Sequence, residues 1–363
     1  MINDKQIKEV HLLLSKCERP VIFFDDDPDG LCSFALLYRY LKKGSGVIVK
    51  NSPEVTFEIY AKKAEEYSPD LIIILDKPRV SEDFIDNFDC PILWIDHHEL
   101  QDISSKHVHY YNPLQNSDVP SPTTYQVWKI VESSQKDQDY NDLWLAIVGI
   151  SGDWFIPDGE MIEIARKKWS NLIPTTFEIA PDLMFFKNSG IGKIIKTIRF
   201  NLKGSMKHVQ KSFKIMTRLE SPDEIILQTT AQGKFLHTYY RKLNEYYVKL
   251  LKEATSLREE SLFLVAIMHQ DKYSFSSELS NEIFYKNPDK IVVVGRSSSG
   301  YTKGSLRTSF DINLNEIVQE AVLGLDGYSG GHPKACGFKI NDSDFELFLD
   351  RFKQLCLERL NKD

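Results

Sequence analysis

The chain has 363 residues, 42% hydrophobic and 27% charged, with a formal charge of −7. This length exceeds the usual ~100–200 residues of one domain, so two domains are expected, and the composition excludes the disordered and membrane-embedded classes. The acidic balance is a poor footprint for gripping long duplex nucleic acid through many phosphates and suits a small or single-stranded substrate better.

The start, Met1 to Lys8, carries charge without an apolar core, so neither a signal nor a transit peptide is indicated. No apolar run approaches the ~18 residues needed to span a bilayer. A cytoplasmic protein without a membrane segment is expected. Five cysteines, Cys17, Cys32, Cys90, Cys336 and Cys356, are odd in number and include no C-x-x-C pair, which predicts reduced thiols rather than a disulfide framework or zinc ribbon.

In chain order, Pro20 to Phe24, Leu71 to Leu75 and Pro91 to Ile95 are short continuous apolar runs, suited to strands buried on both faces of a parallel sheet. Each run is followed by an aspartate: Asp25, Asp76 and Asp96. Ligands bind at the carboxyl ends of strands in open α/β sheets, so acid delivered there by three strands marks a site. Leu143 to Asp153 predicts a helix entering a Gly-punctuated turn that presents Asp153.

The expected fold is α/β: an N-terminal parallel-sheet domain over 1–157, a helical connector over 158–257, and a smaller C-terminal α/β domain over 258–363. The connector includes the amphipathic stretch Lys234 to Ala254. Strand pattern returns at Ser261 to Ile267, Lys290 to Gly295, Ser305 to Ser309 and Gly337 to Ile340. The connector carries a basic run from Lys193 to Lys214, which could track a strand's backbone but reads more simply as a solvated helix face. Tyr239, Tyr240, Tyr246 and Tyr247 could stack bases or pack in a core.

The motif Asp25-Asp26-Asp27-Pro28-Asp29-Gly30 has the D-x-D-x-D-G opening of a calcium-binding EF-hand loop. That reading fails, because Leu36 stands where the bidentate glutamate is needed and a strand precedes where a helix should. Asp27 and Asp29 instead occupy alternate positions at a strand end, where their carboxylates can lean toward one point and repel each other without a cation. Asp96-His97-His98-Glu99 adds imidazoles to carboxylates, the ligand set of manganese-like metals. One such aspartate alone would read as a cap or turn residue. Four segments that each place an aspartate after an apolar run favour bound cations.

With these residues the chain resembles the DHH phosphoesterases. Asp25 to Gly30 is similar to the first family motif, Asp76 to the second, Asp96-His97-His98 to the name-giving third, and Gly152-Asp153 to the fourth. Gly330-Gly331-His332-Pro333-Lys334-Ala335-Cys336-Gly337-Phe338 resembles the glycine-rich signature of the DHH-associated substrate domain, and Ser305-Leu306-Arg307 its other landmark. Many family members carry a histidine in the first motif, where this chain has Phe23 and Asp25 nearby. The carboxylate-rich form looks like the RecJ branch.

The resemblance implies two divalent cations, with manganese expected and magnesium the alternative. Asp27 and Asp76, together with Asp25, would hold one; Asp29, Asp76, His97 and Asp153 the other, with Asp76 bridging. Asp96 would orient a neighbouring histidine, and His98 would face the substrate phosphate or transfer a proton. Two such cations, about 3.5–4 Å apart, lower the pKa of a shared water and stabilise the attacking and leaving oxygens. In the second domain, Ser305, Arg307, Gly330, Gly331 and His332 would bind the phosphate.

The implied function is exonucleolytic hydrolysis of single-stranded DNA, RNA or short oligonucleotides to nucleoside monophosphates. A small-nucleotide phosphatase or cyclic-dinucleotide phosphodiesterase is the alternative reading. A third is a non-catalytic replication or repair scaffold, whose expected sign, degraded motifs, is missing here. Protein partners cannot be read from the sequence.

Overall fold

Runs such as Leu71–Leu75 have no polar face to turn to water, so they form strands covered on both sides. A computed structural model describes residues 1–50, 52–134, 140–174, 189–254, 259–260, 262–269 and 273–361. The chain forms two compact units, Met1–Tyr240 and Arg241–Asp363.

The first unit contains strands β1 (Pro20–Asp25), β2 (Ser45–Val49), β3 (Glu54–Val55), β4 (Leu71–Leu75), β5 (Arg79–Val80), β6 (Ile92–Ile95) and β7 (Val108–Tyr111). Five of them make a parallel sheet in the order β2-β1-β4-β6-β7, and β3 pairs with β5 separately. The chain steps from β1 outward to β2 and then returns to β4 on the other side of β1. The gap between the carboxyl ends of β1 and β4 is therefore a topological switch point, where open α/β sheets bind ligands.

Alternation along the strands sends side chains to two cores. Ile22, Phe24, Ile73, Leu75, Leu93 and Ile95 face helices that supply Leu31, Trp128 and Trp144. Val21, Phe23, Ile72, Ile74 and Trp94 face the other way, against Tyr60 and Phe84. Each fully buried side chain of this size contributes roughly 1.5–3 kcal/mol of transfer free energy. Helices Gly159–Lys168, Gly190–Leu202 and Met206–Met216, expected in a connector, fall within the first unit.

The second unit holds β8 (Glu259–Glu260), β9 (Phe263–His269), β10 (Ile291–Ser298), β11 (Tyr301–Arg307), β12 (Gly327–His332) and β13 (Ala335–Asn341). Their order is β12-β13-β11-β10-β9-β8, with β9 and β10 parallel and the other pairs antiparallel. Helices Leu314–Val322 and Phe345–Leu360 contribute Ile317, Val318, Phe348 and Phe352 to a core under this sheet.

Several boundaries differ from expectation. β11 starts at Tyr301 and stops at Arg307, earlier than the Ser305 to Ser309 expected from composition. The glycines Gly330 and Gly331 lie in strand β12 at the sheet edge. Backbone pairing with β13 holds that segment, so it carries no apolar pattern to announce it. Ser261 and the 257/258 boundary lie outside the described residues.

Candidate metal centre

Helix Pro28–Leu41 begins directly after β1, and the first motif is the junction. Asp27 caps the helix by accepting from the Gly30 amide at 2.9 Å, and Pro28 stands at the first helical position. A Cβ on Gly30 would lie 2.6 Å from the Asp25 backbone, so only glycine permits this tight entry. Within the first turn, Asp29 is fully buried. Its two oxygens accept from the amides of Thr123 and Thr124, both at 2.8 Å, at the start of helix Thr123–Ser134. The amides and the helix dipole thus hold a carboxylate that is buried from bulk solvent.

Asp76 follows β4 with a φ of 59°, a left-handed conformation in which side chains other than glycine are strained. His97 follows β6. Its Nε2 lies 3.1 Å from Asp153 Oδ2, 3.3 Å from Asp76 Oδ1 and 4.0 Å from Asp29 Oδ2. Its Nδ1–H donates to the Pro120 carbonyl at 3.3 Å, which leaves the Nε2 lone pair facing the acids. Asp153 is delivered by the C-terminus of helix Leu143–Gly152, as the sequence predicts.

One ligand atom each from Asp29, Asp76, His97 and Asp153 lies within 4.8 Å of the others, and Asp76, His97 and His98 form a second, overlapping group. Burial, then the charge of Asp153, pushes the Asp29 carboxyl up to about 7. Burial, then Asp29 and Asp27, raises Asp76 well above the carboxylate range. Burial opposes a charge on His97, but Asp153 and Asp76 outweigh it and raise its pKa; in return His97 holds Asp153 low against the pull of burial. Three carboxylates and one imidazole, crowded together away from water, are the donor set of a manganese-like divalent cation. The residues fit.

Asp25 and Asp27 stand outside both four-atom and three-atom groups. Asp25 accepts from Lys77 Nζ at 2.8 Å, and that ammonium, 1% exposed, also donates to the Ser52 carbonyl at 2.6 Å. Burial works against the charge on Lys77, but Asp25 outweighs it and raises the pKa. The sequence reading missed Lys77 because a lysine after a strand looks like a surface residue. Asp96 is fully buried and takes the Nδ1–H of His98 at 2.7 Å and the His98 amide at 3.0 Å. This fixes the tautomer and turns Nε2 of His98 outward. The sequence puts Arg199 on a solvated face, yet it donates to the Gly152 carbonyl at 2.8 Å; burial and Asp153 raise the Asp27 pKa against its pull, and it joins His97 in holding Asp153 low. Only the fold brings it there.

In the second unit, β13 lies between β11 and β12. Ala335 pairs with both Arg307 and His332, and Gly337 with both Ser305 and Gly330. The five predicted residues of this unit therefore share one patch of three strands, with small residues between them. Arg307 is aimed by Asn281 at 2.6 Å and Ser277 at 3.3 Å, from helix Ser276–Lys286. A Cβ on Gly330 would meet nothing within 4 Å, so the space above that strand is open to a ligand.

Family models match two stretches of the chain, a DHH family N-terminal domain over residues 19–150 and a DHHA1 domain over residues 263–358. No curated protein matches in sequence. Among solved structures, the chain is similar to manganese-bound RecJ from Thermus thermophilus, with 15% identity, a TM-score of 0.72, and 98% of this chain and 54% of that one covered. It thus spans about half the length of that RecJ. It is also similar to a pGpG-specific phosphodiesterase, PggH, from a Vibrio species (15% identity, TM-score 0.52, 95% and 100% covered). A third similar structure is CDC45 from Entamoeba histolytica (8% identity, TM-score 0.59, 98% and 99% covered). Both models fall in order on the sheet and the strand patch where the motifs sit, and the chain belongs to the DHH family, with a DHHA1 domain toward its C-terminus.

Proposed function

We propose that this DHH-family phosphoesterase is a phosphodiesterase that hydrolyses single-stranded nucleic acid or short oligonucleotides from an end, releasing nucleoside monophosphates. The observation that carries the reading is the convergence of Asp29, Asp76, His97 and Asp153 at the switch point of the sheet. These four would hold a divalent cation, manganese in first place and magnesium in second, with Asp27 the remaining carboxylate for another. When bound, such cations supply a Lewis acid and a water of lowered pKa. Asp96 holds the His98 ring so that Nε2 can take or give a proton. Arg307, aimed by Asn281, offers a planar fork to phosphate oxygens, with His332, Ser305 and the open backbone of Gly330 and Gly331 on the same patch.

The likeness to exonuclease RecJ supports cleavage from a strand end, and the PggH likeness supports a dinucleotide. A scaffold role like that of a protein without metals is disfavoured by the complete ligand set. The test is a time course on end-labelled single-stranded DNA and RNA, from pGpG to 30-mers, with manganese, magnesium or chelator, beside an Asp76→Ala control. Metal-dependent laddering of long strands supports the exonuclease, and cleavage confined to pGpG supports the dinucleotide reading. No metal-dependent product from any length would sink both.

A further inference from the structure

Between Gly190 and Arg218 the chain carries Lys193, Lys196, Arg199, Lys203, Lys207, Lys211, Lys214 and Arg218, and its next acid is Glu220. In a chain of net charge −7 this is a marked local excess of positive charge. Lys207, Lys211, Lys214 and Arg218 recur at helical spacing on helix Met206–Met216 and just beyond it, on the exposed face. Val209, Ser212, Phe213 and Met216 fill the buried face. At 1.5 Å per residue, neighbouring cations stand about 4.5–6 Å apart along the axis.

These four side chains line a cavity of about 600 Å³ with Phe235, and none of its lining residues is acidic. Lys211 Nζ sits 4.1 Å from the centre of the half-buried Phe235 ring. His208 stacks beside it, 5.2 Å from Phe235 and 3.7 Å from Tyr239. A solvated helix face needs neither a cavity nor an aromatic wall. Positive charge beside half-buried aromatic rings is instead the chemistry of single-stranded nucleic acid, with cations for phosphates and rings for bases.

The positive charge also continues inward. Lys50 Nζ donates to the Gly204 carbonyl at 3.1 Å, and both Lys203 and Asp26 act electrostatically on Lys50. Lys50 and Lys211 both act on His208, so the lysine line reaches from the cavity to the first motif. At the inner end, Arg199 is tied to Gly152, next to the candidate ligand Asp153.

We propose that the cavity lined by Lys207, Lys211, Lys214, Arg218 and Phe235 is a track for the backbone and bases of a single-stranded nucleic acid, leading away from the metal centre through Lys50, Lys203 and Arg199. The identity of the occupant rests on the phosphodiesterase reading above. The track explains how a net acidic chain holds a strand longer than the few nucleotides that its metal centre can engage.

The test is fluorescence anisotropy with labelled, phosphorothioate-linked 20-mers of thymidylate and uridylate, which resist cleavage, in the presence of manganese and across a salt series. The Lys211→Gln, Lys214→Gln double variant is expected to bind roughly 25-fold more weakly near 0.1 M salt, and its log–log salt slope to fall by about 1.4. The Lys211→Arg, Lys214→Arg variant should restore both, which separates lost charge from lost folding. Phe235→Leu should weaken binding with the slope unchanged. Wild-type affinity and slope in the Gln variant would overturn the track, even where hydrolysis of unmodified strands upholds the phosphodiesterase. A wild type that cleaves nothing but shows these charge and ring effects would sink the phosphodiesterase and leave the track standing. Equal losses on a labelled polyglutamate would overturn the assignment to nucleic acid.

Discussion

At the residue scale, the candidate metal centre stores unfavourable energy that a cation would relieve. Asp76 combines a left-handed backbone with a buried carboxylate facing Asp29 and Asp27. Asn tolerates the same backbone and carries no charge. Asp76→Asn should therefore raise the melting temperature of chelated protein by about 1–2 °C, equivalent to roughly 1 kcal/mol in a chain of this length. It should also abolish the upward shift that manganese gives the wild type. Scanning fluorimetry with and without manganese reads both effects.

The pH dependence has a definite sign. Asp29 titrates near 7 when folded, against about 4 in an unfolded chain. Between those values the folded chain keeps a proton that the unfolded chain has lost, so the stability of chelated protein should fall as pH rises from about 4 to 7. Urea midpoints across that range check it, and a rising profile would contradict the burial of Asp29. Lys77 poses the opposite problem, an ammonium 1% exposed that survives through Asp25. Lys77→Met should cost about 3 kcal/mol by leaving Asp25 unpaired, and adding Asp25→Asn should recover most of it.

At the scale of elements, the site depends on how closely three helices approach. A Cβ on Gly149 would lie 2.3 Å from Thr124 Oγ1 and 2.7 Å from Cys32 Cβ, so helices Pro28–Leu41, Thr123–Ser134 and Leu143–Gly152 meet at that glycine. Thr124 also donates to the Asp29 carbonyl at 2.9 Å through the same hydroxyl. Gly149→Ala should destabilise the protein by about 1–3 kcal/mol through overpacking. By displacing Thr124 from Asp29 it should weaken manganese binding about 10- to 100-fold, the usual effect of disturbing groups that hold a ligand. Calorimetric titration against urea melts separates the two effects.

At the scale of the whole molecule, the candidate metal ligands belong to one compact unit and the candidate phosphate-binding patch to the other. Arg307→Ala should lower kcat/KM on oligonucleotides by about 100-fold or more, as loss of a charge-stabilising donor does, while manganese affinity holds. A fall in manganese affinity would mean that Arg307 supports the first unit's fold instead. Among the described residues no helix is long and apolar enough to cross a membrane. The five cysteines are unbridged, in keeping with the spacing of the sequence.

The sequence by itself determined the parallel sheet, the helix that presents Asp153 and the family, because apolar runs, strand-end acids and glycine signatures are local patterns. It also selected Asp29, Asp76, His97 and Asp153, which are far apart in the chain but each follow such a pattern. It could not show that Lys77 takes Asp25, that Thr123 and Thr124 hold Asp29, or that Asn281 aims Arg307. Lysine, threonine and asparagine carry no local signature, and their roles arise only when segments distant in sequence are packed together. The basic run was likewise legible as charge, while its cavity, its aromatic wall and its inner end at Gly152 exist only because helices Gly190–Leu202 and Met206–Met216 pack within the first unit.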